Sequence, residues 1–127
     1  MLTKITHITV FVKNQDDALK FYVDTLGFKV HTDAMFAEFR WLTICAAEQP
    51  DFEIALVPAT TPEEIAIVGK QSAGKPLFNV DTNDCQKDYE RLSALGVVFV
   101  QTPKREPWGF SSAFHDLCGN LIYMCQQ

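Results

Sequence analysis

Residues 5–28 read ITHITVFVKNQDDALKFYVDTLGF, and a stretch of the same design returns at residues 77–100. Ile5–Val12 is dense in β-branched residues and reads as a strand. Ile8, Val10 and Val12 point to one side of it, and Ile5, His7, Thr9 and Phe11 to the other. Lys13-Asn14-Gln15-Asp16 then offers turn and helix-capping chemistry. From Asp17 to Leu26, the residues Ala18, Phe21, Tyr22 and Leu26 recur at helical spacing, and Gly27 supplies the stop. Phe28–Thr32 is extended again.

Working outward, Met35–Cys45 and Phe52–Val57 read as two strands joined by the polar turn Glu48-Gln49-Pro50-Asp51. Pro58–Pro76 breaks the pattern with three prolines and two glycines and reads as a linker or mobile loop. Within it Ile65-Ala66-Ile67-Val68 fits either a short helix or an edge strand. The first pattern then repeats. Leu77–Val80 is a strand, Asp81–Asp84 a capping turn, and Cys85, Tyr89 and Leu92 share a helical face that ends at Leu95-Gly96. Val12 to Gly27 spans fifteen positions and Val80 to Gly96 sixteen. Val97–Val100, Phe110–Phe114 and Leu121–Cys125 complete the unit, the last two around the turn Asp116–Asn120. The chain is thus read as a duplication of roughly 55-residue units, each strand–helix–strand–strand–strand. Two parallel βαβ starts completed by antiparallel strands predict an α+β fold, a cupped mixed sheet with its helices on the outer face. The predicted organisation is one domain, with module one at 1–58, a linker at 59–75 and module two at 76–127. An isolated module leaves one sheet face bare, so modules must pair within or between chains, with the concave face free for a ligand.

The 127 residues carry eleven Lys and Arg against sixteen Asp and Glu, a net charge of -5, with no basic stripe. Nucleic acid is therefore not an expected partner. Apolar runs such as Val97–Val100 fall far short of the ~20 residues of a membrane span. The N-terminus moves straight into the strand pattern, so no signal peptide is read and a cytoplasmic location is expected. Cys45, Cys85, Cys118 and Cys125 form no Cys-x-x-Cys pair and read as reduced thiols, with Cys45 and Cys125 packed as small apolar residues. No G-x-G-x-x-G spacing or Walker loop occurs, and Gly109-Phe110-Ser111-Ser112-Ala113 lacks the second glycine of a nucleophile elbow. With three histidines and no evident nucleophile beside them, a hydrolase triad is not expected.

Three pieces carry a resemblance: His7-Ile8-Thr9-Val10; Asp17-Ala18-Leu19-Lys20-Phe21-Tyr22 followed by Leu26-Gly27-Phe28; and Phe114-His115-Asp116-Leu117-Cys118-Gly119-Asn120. In order and spacing they resemble the opening strand, the "A-x-x-F-Y…L-G-F" helix and the "F-x-D-P-x-G-N" turn of the vicinal oxygen chelate superfamily. That superfamily holds glyoxalase I, extradiol dioxygenases and bleomycin- and fosfomycin-resistance proteins. Its metal-dependent members place four ligands in the cup, and the resemblance carries these positions to His7, Ala55, Lys75 and Tyr123. Alanine offers no donor atom, lysine would have to lose its proton, and tyrosine is an uncommon ligand for divalent ions. The resemblance therefore implies a small-molecule-binding protein with its metal site largely lost and no cofactor. A register slip would substitute Glu53 or Ile54 for Ala55, and Glu53 on the same strand face could approach His7, with His115 at the final turn as a third donor. The alternative is accordingly a metal-dependent lyase, isomerase or dioxygenase using His7 and other donors; a third class is a protein-interaction module with an occluded cup.

His7 reads as a cup-lining histidine, with proton transfer open to it. Lys75 is either a solvated lysine or an anion anchor, and Tyr123 either core or a donor to a ligand oxygen. Trp108, bracketed by Pro107 and Gly109 in a loop leading to a strand, needs the core, a second chain or a ligand to cover it. Arg105 fits a carboxylate, or a salt bridge with Glu106 or Asp116. Trp41 fits core or cup wall. The expected site has Trp108, Phe110, Lys75 and Tyr123 at its mouth and His7 at its floor, with Ala55 and Arg105 also in the cup. The expected partners are a small organic molecule, acidic or aromatic, and a second copy in a homodimer.

Overall fold

A computed structural model describes residues 1–127, and the chain divides into two units, Met1–Ala66 and Ile67–Gln127. The first contains β1 (His7–Val12), α1 (Gln15–Lys20), β2 (Lys29–Phe36), β3 (Phe39–Cys45) and β4 (Glu53–Pro58). Its sheet runs β1-β4-β3-β2, with β1 parallel to β4 and the other pairs antiparallel. The parallel partner of β1 is therefore β4, not β2 as the βαβ reading predicted. The short connections of β2, β3 and β4 make an antiparallel meander, and β1 adds to the edge that β4 leaves open.

Asn14 caps α1, its side-chain oxygen accepting from the Asp17 N–H at 2.8 Å. The predicted single helix widens into a π-helical turn over Phe21–Thr25, where the Leu26 N–H reaches back to the Phe21 carbonyl at 3.0 Å. Tyr22 in that turn is fully buried between the rings of Phe21 and Phe28. Alternation does the rest. Val10, Val12, Leu42, Ile44, Ile54 and Leu56 are buried with Ala18 and Tyr22 on the helix side. His7, Thr9, Trp41, Thr43, Glu53 and Ala55 occupy the opposite face.

The predicted strand Met35–Cys45 is broken by a turn at Ala37-Glu38, with Ala37 at φ 57°. Arg40 clamps this hairpin: its Nε and Nη2 each bond Asp33 at 2.9 Å, and its Nη1 bonds Asp16 of α1 at 2.6 Å. Those bonds hold the Asp33 carboxyl below its ordinary pKa and push the Arg40 guanidinium up. Asp33 is exposed and Arg40 half-buried, so the pair contributes to orientation more than to stability.

Helix α2 (Pro62–Ile67) occupies the predicted linker, so Ile65–Ile67 is helical rather than an edge strand. The second unit contains β5 (Pro76–Asp81), α3 (Cys85–Ala94), β6 (Phe99–Glu106), β7 (Gly109–His115) and β8 (Leu121–Gln126). Its sheet order is β5-β8-β7-β6, again with only the outer β5–β8 pair parallel. Asp84 caps α3 by accepting from the Lys87 N–H at 3.0 Å. Cys85 and Leu92 of α3 lie buried, as do Phe114, Ile122 and Met124 of the sheet, and the rings of Tyr89, Phe99 and Phe114 meet in series. Tyr123, Ala113, Ser111 and Cys125 share the other face. Both units thus follow the predicted strand–helix–strand–strand–strand order in an α+β fold. All four cysteines are free thiols, Cys85 being buried along with Cys45 and Cys125. No helix is long and apolar enough to cross a membrane.

Candidate ligand-binding site

In the second unit, β6 runs on through Lys104-Arg105-Glu106, and Pro107-Trp108 is the tight turn into β7. Gly109 at φ 148° is what allows the turn to lie so close. A Cβ there would sit 2.6 Å from the Gln126 carbonyl oxygen and 2.8 Å from Cys125 Sγ. The turn presents Trp108 with 57% of its surface exposed, so the core of the unit does not take it. Its indole N–H donates to the Tyr123 hydroxyl at 2.7 Å. Tyr123 is half-buried on the face opposite α3, flanked by Ala113 and paired to Asn79. The result is an exposed, flat apolar ring fixed in orientation by its bond to a half-buried tyrosine.

The other residues expected with Trp108 are distributed differently. Phe110 pairs across the hairpin with Arg105, and strand alternation puts it with Ser112 and Phe114 on the helix side, away from Tyr123. The Arg105 guanidinium lies over the Phe110 ring, Cζ 5.3 Å from its centroid, and Lys104 takes the Glu106 carboxylate at 3.0 Å. Arg105 is thus a cation–π partner, not the ion-pair partner of Glu106 that the sequence allowed. Lys75 is exposed in the turn before β5, held by its N–H to the Ser72 carbonyl and by Ser72 Oγ to its own carbonyl. No hydrogen bond joins it to Tyr123 or Trp108.

In the first unit, His7 is exposed at the start of β1, its Nδ1 3.0 Å from Thr6 Oγ1. Its ring meets Trp41 edge-on at 5.3 Å. The register places Ala55 between them, opposite Thr9 on one side and Thr43 on the other, and Ala55 is 1% exposed. A methyl at position 55 leaves the room that the Trp41 ring spans. Glu53 is the true neighbour of His7, its Cα partner across β1–β4. Its Oε1 accepts from Thr43 Oγ1 at 2.7 Å and lies 3.1 Å from His31 Nδ1. His31 escaped the sequence reading because a bulge between Val30 and Thr32 shifts the register of β2.

A divalent centre does not fit these residues. Of the four positions carried over by resemblance, only His7 bears a suitable donor. Ala55 is closed over, Lys75 is a solvated cation, and the Tyr123 hydroxyl is engaged by Trp108. No three His, Cys, Asp or Glu side chains converge in a way that would hold an ion.

Set beside known proteins, the chain is similar over nearly its whole length. YurT of Bacillus subtilis (strain 168) is 36% identical over 126 residues, which span 98% of this chain and 99% of that one. The crystal structure of UcmS2 superposes with a TM-score of 0.86 at 31% identity, covering 98% of both chains. TnmS3, an antibiotic-binding protein from Streptomyces sp. CB03234, does so with a TM-score of 0.79 at 29% identity, covering 98% of this chain and 96% of its own. The profile that matches residues 4–124 runs from ahead of β1 into β8 and so takes in both sheets and both caps: the chain belongs to the glyoxalase/bleomycin resistance protein/dioxygenase superfamily.

Proposed function

We propose that this chain binds a small organic molecule through aromatic contact, without a resident divalent metal. The observation that carries the reading is Trp108, an exposed ring whose direction is set by its bond to Tyr123. Exposed tryptophans are costly to present and are a preferred anchor in recognition surfaces. TnmS3 is an antibiotic-binding protein, and its likeness to this chain supports the same class of activity here. In this reading Trp108 and Tyr123 contact the ligand body and Lys75 attracts an acidic group at longer range.

The test is a thermal-shift screen of small acids and aromatic compounds, followed by titration of the best hit. Trp108→Ala should weaken that hit by about 1–3 kcal/mol, as for an interfacial aromatic, while leaving the melting curve of the free protein nearly unchanged. Lys75→Met should weaken acidic hits alone, since the methionine keeps the stem and removes the charge. Unchanged affinity in both variants would place the ligand elsewhere.

A homodimer is part of the proposal. The hairpin tip of β2–β3 exposes Met35, Phe36 and Phe39, and Val98 ahead of β6 and Val100 within it are exposed as well. Apolar surface of this kind favours association, and a two-fold pair closes it most simply. Light scattering at micromolar concentration should return twice the chain mass of 14.3 kDa. A single-chain mass persisting on concentration would remove the dimer from the reading.

A further inference from the structure

We propose that the β1–β4–β3 face of the first unit is a recognition site for a protonated amine carried on an aromatic body, with Glu53 as the acceptor. This goes beyond the aromatic platform at Trp108 and rests on residues of the first unit alone. Glu53 stands on a central strand, and its carboxylate keeps 19% of its side-chain surface open. Thr43 Oγ1 donates to its Oε1, and His31 Nδ1 approaches the same atom. His31 Nδ1 also lies 2.8 Å from Thr32 Oγ1, and the two neighbours of the Glu53 carboxylate converge on one of its oxygens. Oε2 takes part in neither contact. A carboxylate partly withdrawn from water gains most from a charged donor.

The surroundings select what carries that donor. Trp41 lies two residues before Thr43 on the same face of β3, its ring edge-on to His7 at 5.3 Å and tilted 30° from Phe39 at 6.3 Å. Aromatic faces attract cations and stack on flat apolar bodies. An anion meets the Glu53 charge and is repelled. The arrangement therefore takes an ammonium group at Glu53 and an aromatic ring against Trp41.

Tryptamine, N-acetyltryptamine and indole-3-acetate share one ring and differ in charge, so they serve as probes. They are titrated into the full chain while backbone amide resonances are followed. Tryptamine should bind about tenfold or more tightly than either analogue, with the largest shifts in β1, β3 and β4. Glu53→Gln keeps an acceptor for Thr43 and should bring the tryptamine preference close to one. Tryptamine shifts confined to the first unit separate this site from the proposed platform at Trp108. Equal affinity for the three probes, no tryptamine shifts by about 10 mM, or a preference that survives Glu53→Gln would overturn the proposal. So would tryptamine shifts centred on β6, β7 and β8. If Glu53→Gln fails to fold, the three-probe comparison on the unaltered chain decides alone.

Discussion

Gly69→Ala is expected to lower the unfolding free energy by about 2–5 kcal/mol, the sum of a left-handed backbone penalty and a steric collision. Gly69 has φ +78°, where an L side chain is strained before any neighbour is considered. A Cβ built there would lie 2.0 Å from the Cys118 carbonyl oxygen and 2.9 Å from its carbon. Both are backbone atoms, so no side-chain rotation relieves the contact. Cys118 is itself held in place, its N–H donating to Asp116 Oδ1 at 2.9 Å. Gly74 supplies the control: φ is +84°, with nothing within 4 Å of the added carbon. Gly74→Ala should therefore cost only the backbone part, about 1–2 kcal/mol. Urea unfolding midpoints of the two variants decide the matter. Equal losses would mean that the approach of Gly69 to Cys118 relaxes freely.

Asp116→Ala should cost a similar amount, about 3–5 kcal/mol, because three donors lose a charged acceptor together. Asp116 is 5% exposed. Its Oδ1 accepts from the N–H groups of Cys118 and Asn120, both at 2.9 Å, and its Oδ2 accepts from Asn120 Nδ2 at 3.0 Å. Asn120 is 2% exposed, so its donors gain no water when the carboxylate goes. Asp116→Asn should recover part of the loss by keeping one oxygen for the two backbone groups. Combined with Gly69→Ala, Asp116→Ala should be less than additive, since both act on Cys118. Full additivity in chemical denaturation would show that the turn and the Gly69 segment are independent.

Much of this architecture is legible in local chemistry. The alternation of Ile8, Val10 and Val12 against His7, Thr9 and Phe11 places the core on one side of β1, and Val10 and Val12 are indeed buried there. Asn14 and Asp84 cap the two helices, as polar residues before an apolar period do. The Asp116–Asn120 turn is equally readable, because an Asp side chain bonding its own backbone two residues on needs no distant partner. The hairpin break at Ala37-Glu38 is not readable, because neither residue carries the usual turn signal, and the bonds from Arg40 to Asp33 and Asp16 tie the hairpin to α1 from outside the turn.

The candidate site divides along the same line. The residue types at His7, Ala55, Lys75 and Tyr123 already argue against four metal donors, because donor chemistry is a property of each side chain alone. That Phe110 turns to the helix side depends on the register of β7 against β8, and one residue of slip would reverse it. That Trp108 is pinned by Tyr123, fifteen residues away, depends on β7 folding back to bring the turn beside β8. That Glu53 meets both Thr43 and His31 depends on the pairing of three strands and on a bulge between Val30 and Thr32. Periodicity, caps and turns act over about five residues and are written where they act, whereas strand pairing is chosen by burying whole faces at once, and only the folded sheet makes that choice.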